Sequence, residues 1–178
     1  MDRVAISKTM AHALRHDPAA YGLTLDSEGW VTLDALVGAL AKRWPAISRD
    51  DVTSLIDESA KKRYEISGER IRAGYGHSTA DRIDQVAATP PDTLFHGTQA
   101  AEAIERDGLR SMRRQYVHLS TTEDVAREVG SRRGPTPTIF RVDAKAAHDD
   151  GVVFYRTSDP RTWLVDSLPA RYLARTDG

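Results

Sequence analysis

Apolar residues in the first third of the chain recur every three or four positions, the spacing of one face of an α-helix. They predict three helices. The first ends at the Asp-Pro pair that follows His16, because the residue before a proline avoids the helical region, so Arg15 and His16 fall on its last turn. Thr32 and Ser48 are predicted to cap the second and third helices, and the third runs to about Ala60.

Residues 63–66 and 70–72 then read as two short strands, and the glycine-containing segment between them is typical of a hairpin turn. Three helices followed by a hairpin predict a winged-helix lobe over residues 1–80. Small residues and prolines in residues 81–92 predict a linker.

Strands and short helices alternate over residues 93–178, which are predicted to form a second lobe, so the fold class is α+β. Thr98 is predicted to cap a helix that Gly108 closes, and Ser120 to cap a helix that stops at Gly130. Strands are predicted at residues 94–96, 116–119, 139–142, 152–155 and 163–165.

The charge balance argues against a protein that coats nucleic acid non-specifically. Lys and Arg number 25 and Asp and Glu 26, a net charge of −1, so any anion site must be local. The absence of cysteine excludes disulfides and thiol chemistry, and no window resembles a signal peptide or a membrane span. These features predict a soluble, cytoplasmic protein.

Three arginines are candidates for binding a phosphate, because a guanidinium offers forked donors that match phosphate oxygens. Arg15 lies at a helix end, Arg72 in the hairpin and Arg132 in a Gly-Ser-Arg-Arg-Gly segment. Taken singly, each is better explained by a helix dipole or by solvation. His12 and His16, four apart on a helix, could in principle hold a metal, but the six histidines are scattered, so no metal is predicted.

Four short motifs together resemble the RNA 2'-phosphotransferase family, which removes an internal 2'-phosphate from RNA with NAD+ as co-substrate. They are Leu14-Arg15-His16, Arg72 with Gly76-His77-Ser78, Leu94-Phe95-His96-Gly97-Thr98, and Val117-His118-Leu119-Ser120. The resemblance runs from about Ser7 to Leu173. It implies that the second lobe has the ADP-ribosyltransferase fold.

The resemblance also implies a role for each motif residue. The catalytic residues would be Arg15, His16, Arg72 and Arg132; NAD+ would be bound by His96, Gly97, Thr98, His118 and Ser120; and His77, Ser78 and Arg133 would contact the substrate. The family usually has histidine where this chain has Arg133, which leaves open whether Arg132 or Arg133 faces the phosphate. The loop at residues 159–162 also departs from the family pattern.

The implied reaction has two steps. The RNA 2'-phosphate attacks the nicotinamide-bearing ribose carbon, giving RNA-2'-phospho-ADP-ribose and nicotinamide. A ribose hydroxyl then attacks phosphorus, releasing 2'-hydroxyl RNA and ADP-ribose 1'',2''-cyclic phosphate.

The protein is expected to be a monomer whose partners are a tRNA-like RNA and NAD+. Two alternatives remain: an ADP-ribosyltransferase acting on another acceptor, such as a terminal phosphate of nucleic acid, and a non-catalytic winged-helix protein that binds nucleic acid.

Overall fold

The computed structural model describes residues 2–59 and 62–176. The chain divides into two units, Met1–Asp84 and Gln85–Gly178, and each is taken by itself below.

The first unit contains three helices and a small antiparallel sheet. Its strands lie in the order β1-β3-β2, with Val31 opposite Ile71 and Glu65 opposite Arg72. The elements in chain order are α1 (Arg3–Arg15), β1 (Val31–Thr32), α2 (Leu33–Ala41), α3 (Arg49–Asp57), β2 (Tyr64–Ser67) and β3 (Arg70–Ala73).

Helix starts in this unit follow the capping residues of the sequence. The Thr32 side chain accepts a hydrogen bond from the Ala35 amide, and Ser48 forms a complete capping box with Asp51. Both caps are confirmed. Helix α3 ends at Asp57, earlier than predicted, and the predicted end at Ala60 lies outside the described residues.

The core of the first unit comes from the apolar face of α1, from α2 and from β3. Burying these side chains supplies most of the unit's stability. The central members, each with at most 1% exposure, are Ile6, Met10, Ala13, Leu14, Leu36, Leu40, Val52, Ile71 and Ala73.

The second unit is built on a seven-stranded antiparallel sheet and a two-stranded one. The large sheet has the order β12-β8-β5-β7-β10-β9-β4, and the small one pairs β11 with β6. The elements are β4 (Val86–Ala87), β5 (Thr93–Thr98), α4 (Ala101–Asp107), β6 (Leu109–Arg110), β7 (Val117–Ser120), α5 (Glu123–Gly130), β8 (Thr138–Asp143), α6 (Ala144–Asp149), β9 (Phe154–Arg156), β10 (Thr162–Val165), β11 (Ser167–Leu168) and β12 (Leu173–Arg175).

Two predicted caps in this unit are wrong. Thr98 is the last residue of β5 and α4 begins three residues later, although the Thr98 hydroxyl accepts a hydrogen bond of 2.9 Å from the Ala100 amide. Ser120 ends β7, and the cap of α5 is Thr122, whose side chain accepts from the Val125 amide. In both places the strand continues to the residue that the local pattern assigned to the helix.

The mixed α+β class is confirmed by the six α-helices and the large antiparallel sheet of the described residues. Strand β4 lies inside the range predicted as a linker and pairs with β9 at the sheet edge. Across residues 2–59 and 62–176, no helix is both long and apolar enough to cross a membrane.

Candidate phosphate and nucleotide sites

Arg15 is a partly buried cation at the end of α1. Its guanidinium carbon lies 5.6 Å from the ring centroid of Tyr64 and 5.0 Å from that of Tyr75. Burial lowers the pKa of Arg15, but an arginine keeps its charge in proteins. Its Nη2 donates weakly to the Arg63 carbonyl at 3.4 Å, and its buried Nε has no hydrogen-bond partner in the described structure. Unused donors on a buried cation favour an anionic ligand.

The glycine of the Gly76-His77-Ser78 motif lies against this guanidinium. Gly76 has φ +90°, and a Cβ added there would lie 3.5 Å from Arg15 Nη1. A side chain at residue 76 would therefore strain the backbone, while its Cβ would make ordinary contact with the cation.

His16 and Ser78 are joined at the C-terminus of α1. The Ser78 amide donates to the Arg15 carbonyl at 2.8 Å, and the Ser78 hydroxyl lies 2.8 Å from His16 Nδ1. The His16 ring is exposed. The serine thus orients an accessible imidazole beside the buried arginine.

His77 is a neutral, buried neighbour of the charged groups. It is 2% exposed, and its Nε2 would lie 3.5 Å from a Cβ added at Gly29. Burial, followed by the charges of Arg15, His16 and Arg72, lowers the pKa of His77 to about 4. These positive charges disfavour a proton on the His77 ring.

Arg72 is fixed by contacts on several sides. It faces Glu65 across the hairpin, and its Nη2 and Nε donate to one Glu65 oxygen at 2.8 and 3.1 Å. Its Nη1 donates to the Glu28 carbonyl at 3.3 Å, and the guanidinium carbon lies 4.5 Å from the Trp30 ring centroid. With a side chain only 17% exposed, Arg72 is held in one orientation.

The first unit therefore brings together Arg15, His16, Arg72, His77 and Ser78, which the sequence predicted for phosphate chemistry. Sequence reasoning did not identify Tyr64, Tyr75, Trp30 and Glu65, which support the two arginines. The pairing of Glu65 with Arg72 follows from the hairpin register, since residues opposite each other share a face. The tyrosine contacts depend on the tertiary fold.

In the second unit, His96 lies where two strands separate. Strands β5 and β7 pair only at Phe95 and Ser120 among the described residues. Beside this point, His96 Nδ1 lies 3.0 Å from the His118 carbonyl oxygen. Because a carbonyl only accepts, the Nδ1 atom carries the hydrogen and Nε2 of the neutral ring is left as an acceptor. Burial, and secondarily the charge of Arg133, lower the pKa of His96.

His118 is oriented in the same way, since its Nδ1 donates to the Tyr116 carbonyl at 3.1 Å. Its strand neighbour Ser120 is 8% exposed and faces Phe95 across the sheet. The first turn of the following helix carries Glu123 and Asp124, and these carboxylates oppose an anion at the N-terminus of α5.

Gly97 is required by packing between a helix and the sheet. A Cβ added at Gly97 would lie 2.1 Å from the Ala126 carbonyl oxygen of α5 and 3.3 Å from the Gly130 Cα. Helix α5 therefore packs directly against the β5 backbone. This contact accounts for the glycine without reference to a ligand.

Arg132 and Arg133 occupy one short 3₁₀ turn after α5 but differ in their surroundings. Arg132 lies 3.6 Å from Glu128 on the helix. Arg133 lies close enough to His96 to lower the pKa of that ring. Arg133 is thus the member of the pair whose charge reaches the predicted nucleotide residues.

The two histidines considered for a metal lie on one face of α1, with ring centroids of His12 and His16 5.9 Å apart. Within the part of the chain that the structure describes, no group of three or more possible ligands surrounds a metal position.

The fold and these sites define a two-unit α+β protein with a cluster of arginine and histidine in one unit and two histidines oriented by backbone carbonyls in the other. A family model described as RNA 2'-phosphotransferase, Tpt1 / KptA family matches residues 1–167. The chain belongs to this family.

Close relatives cover nearly the whole chain. The probable RNA 2'-phosphotransferase of Acetivibrio thermocellus is 42% identical over 177 residues, covering 97% of both chains. Proteins with the same description in Streptomyces coelicolor and Rhizobium johnstonii are 43% and 42% identical, covering 96% and 97% of this chain and 93% and 94% of their own. The resemblance found in the motifs is therefore confirmed.

Proposed function

We propose that this protein uses NAD+ to remove an internal 2'-phosphate from RNA. The activity class, RNA 2'-phosphotransferase, follows from family membership. The observation that carries the residue assignment is the cluster of Arg15, His16 and Arg72 around neutral His77. In this proposal the first unit is the winged-helix lobe that binds phosphate, and the second is the ADP-ribosyltransferase-like lobe that binds NAD+.

The order of elements supports the winged-helix assignment. Helix α1, strand β1, helices α2 and α3, and the β2–β3 hairpin follow one another, and all three strands form one sheet. The phosphate ligands come from the end of α1 and from β3 and the segment after it. Their positions are fixed by secondary structure, which suits a site that must hold a dianion in one orientation.

Two rigid guanidinium groups fit the binding of a 2'-phosphate. Arg15 has a buried Nε with no hydrogen-bond partner among the described residues, and Arg72 is held by Glu65 and Trp30. Such groups need little reorganisation when charge develops on phosphoryl oxygens, which is the condition for electrostatic catalysis. Arg132 is proposed, from the family motif, to add a third guanidinium.

The histidines of the second unit fit a nucleotide that presents hydroxyl and amide donors. His96 and His118 each direct Nδ1–H at a backbone carbonyl, which leaves Nε2 of the neutral His96 ring as an acceptor. Bound NAD+ would supply an electrophilic ribose carbon with nicotinamide as leaving group. His96, His118, Ser120, Gly97 and Thr98 would orient the dinucleotide, the glycine through its backbone alone because α5 covers its Cα.

His16 is proposed to move the proton in the second step. Its ring is exposed, and its Nδ1 is held by the Ser78 hydroxyl at 2.8 Å. A histidine titrates near neutrality, so it can accept a proton from the attacking ribose hydroxyl. His77 cannot exchange roles with it, because burial and the neighbouring charges lower the pKa of His77 to about 4.

The non-catalytic alternative is disfavoured by the charge of α3. In a winged-helix protein that reads nucleic acid, the third helix usually enters the groove. Here its first turn carries Asp50 and Asp51, and Arg49 is already paired with Asp34 and Glu69. An acidic helix end repels a phosphate backbone.

The proposal is tested with a short RNA bearing one internal 2'-phosphate, incubated with and without NAD+. We expect 2'-hydroxyl RNA only with NAD+, and a loss of about 100-fold or more in kcat for Arg15→Ala and Arg72→Ala. The matched control is Arg70→Ala, because Arg70 lies on the same strand, within 5.1 Å of the same Trp30 ring centroid, and is half exposed in an ion pair with Asp26. Accumulated ADP-ribosylated RNA from the wild type would support the alternative acceptor chemistry. Full activity in a folded Arg72→Ala protein would overturn the site assignment.

A further inference from the structure

An exposed basic loop connects β6 to β7 in the second unit. We call residues 110–115 the arginine loop; it contains Arg110, Met112, Arg113 and Arg114. Its start is held by the pairing of Arg110 with Ser167. At its other end Tyr116 is 5% exposed and packs edge-on against Tyr155, with ring centroids 5.3 Å apart. Both ends of the loop are therefore fixed by contacts with the rest of the second unit.

The side chains of this loop point into solvent. Met112 is 90% exposed, more than any other large hydrophobic residue found exposed in the described structure, where the next is Val4 at 65%. Arg110, Arg113 and Arg114 are also exposed. An exposed methionine between arginines can bury its apolar surface only when a binding partner covers it.

Two arginines of the loop have no ion pair of their own in the described part of the chain. Among the described residues, the Arg113 side chain makes no hydrogen bond or ion pair, and Arg110 acts on Asp107, which is already paired with Arg106 at 2.8 Å. In a protein with a net charge of −1, these two arginines, three positions apart, form a local positive site. Arginine side chains suit phosphate, and a flexible thioether suits the flat face of a base.

The loop leads directly into the strand that carries the proposed nucleotide residues. His118 lies two residues beyond Tyr116 on β7, a distance of about 7 Å along an extended strand. The Tyr116 end of the loop therefore lies close to the proposed nucleotide residues. A chain with regularly spaced phosphates and exposed bases matches both the arginines and the methionine.

We propose that the arginine loop binds the RNA strand that flanks the 2'-phosphate. Arg110 and Arg113 contact phosphodiester groups and Met112 packs against a nucleobase. This inference rests on the proposed function, since it assumes that His118 lies at the reaction site. If the loop binds flanking RNA, the protein should prefer longer RNA substrates. The arginines of the first unit, which are proposed to bind the 2'-phosphate itself, cannot provide this preference.

The test compares two substrates, a 2'-phosphorylated dinucleotide and the same dinucleotide extended by RNA on both sides. For the double variant Arg110→Ala/Arg113→Ala we expect KM for the extended RNA to rise about tenfold. Both KM for the dinucleotide and KM for NAD+ should stay unchanged. Loss of two single-strand phosphate contacts should also reduce the slope of log KM against log salt by about 1.4, at roughly 0.7 per contact. Met112→Ala should raise the same KM without changing the salt slope.

Arg106→Ala is the matched control, because Arg106 is an exposed arginine in the same region that is neutralised by Asp107. It should leave all constants unchanged. A rise in KM for NAD+ would assign the loop to the dinucleotide and overturn the proposal, as would an equal effect on both RNA substrates. If the double variant still turns over the dinucleotide, the proposed function stands whatever happens with the extended RNA. The experiment therefore tests the role of the loop separately from the activity itself.

Discussion

At the scale of single residues, burial determines how His77 titrates. The ring is 2% exposed, and burial together with Arg15, His16 and Arg72 lowers its pKa from 6.5 to about 4. The unfolded chain therefore binds a proton between these pH values and the folded chain does not. Stability rises with pH wherever the unfolded state binds more protons, so this contribution is present at neutral pH and is lost as the pH falls from about 6.5 to about 4.

His77→Leu should remove that pH dependence. The wild type should lose roughly 3 kcal/mol of unfolding free energy from this residue between pH 7 and pH 4, and the variant should not. Urea unfolding at several pH values measures the difference. His12→Gln, a change at an exposed histidine of the same unit, is the control. Parallel pH profiles for wild type and His77→Leu would show that folding does not lower the pKa of His77.

A second prediction at this scale separates the two adjacent arginines. The charge of Arg133 lowers the pKa of His96, whereas Arg132 lies 3.6 Å from Glu128. Arg133→Ala should therefore raise the pKa of His96, because removing a nearby positive charge favours the protonated ring. Arg132→Ala should leave it unchanged. Titration of the histidine ring signals by NMR distinguishes the two, and the reverse result would place Arg132 beside the nucleotide residues.

At the scale of elements, the contact between α5 and β5 depends on two glycines. Gly97 and Gly130 face each other closely, and a Cβ at Gly97 would overlap the Ala126 carbonyl oxygen at 2.1 Å. Gly97→Ala should destabilise the second unit by about 3 kcal/mol, since the backbone must shift. Gly38→Ala, at an exposed helical glycine with nothing within 4 Å, should instead stabilise by about 0.5–1 kcal/mol. Thermal or urea unfolding checks both, and a neutral Gly97→Ala would mean that α5 does not pack on β5 in this way.

The sequence predicted elements best where local signals agree. Thr32 and Ser48 cap helices as expected, because the helix begins at the very next residue in both places. Thr32 does so although it also ends β1, opposite Arg70. Thr98 and Ser120 carry the same signal, but pairing within the large sheet extends β5 and β7 through them. Short edge elements such as β4 have too few residues to show alternation, so only the tertiary pairing with β9 defines them.

The candidate site was predictable only in part for a related reason. Motif residues such as Arg15 and Arg72 could be predicted as candidate phosphate ligands, and Glu65 could be inferred from hairpin register. Tyr64 and Tyr75 could not, because their contact with Arg15 joins residues 49 and 60 positions apart. The role of Gly97 in helix packing could not be inferred from the sequence either, because a glycine is equally expected where a ligand approaches the backbone closely.

At the scale of the whole molecule, positive charge is concentrated at a few sites, while the chain as a whole is almost neutral. The net charge is −1, yet a buried arginine, a fixed arginine and an exposed arginine loop offer separate sites for phosphate. Under the proposed function, such a protein should bind one modified position and its surroundings and have little affinity for nucleic acid in general. Family membership across residues 1–167 agrees with a transferase that acts on a single kind of phosphate.

The most direct test of this account follows the phosphorus atom itself. An RNA with a radiolabelled internal 2'-phosphate is incubated with the protein and NAD+, and the labelled products are separated together with nicotinamide. We expect the label to leave the RNA and appear in ADP-ribose 1'',2''-cyclic phosphate, with one nicotinamide released for each phosphate removed. Label released as inorganic phosphate, or released equally well without NAD+, would contradict the account.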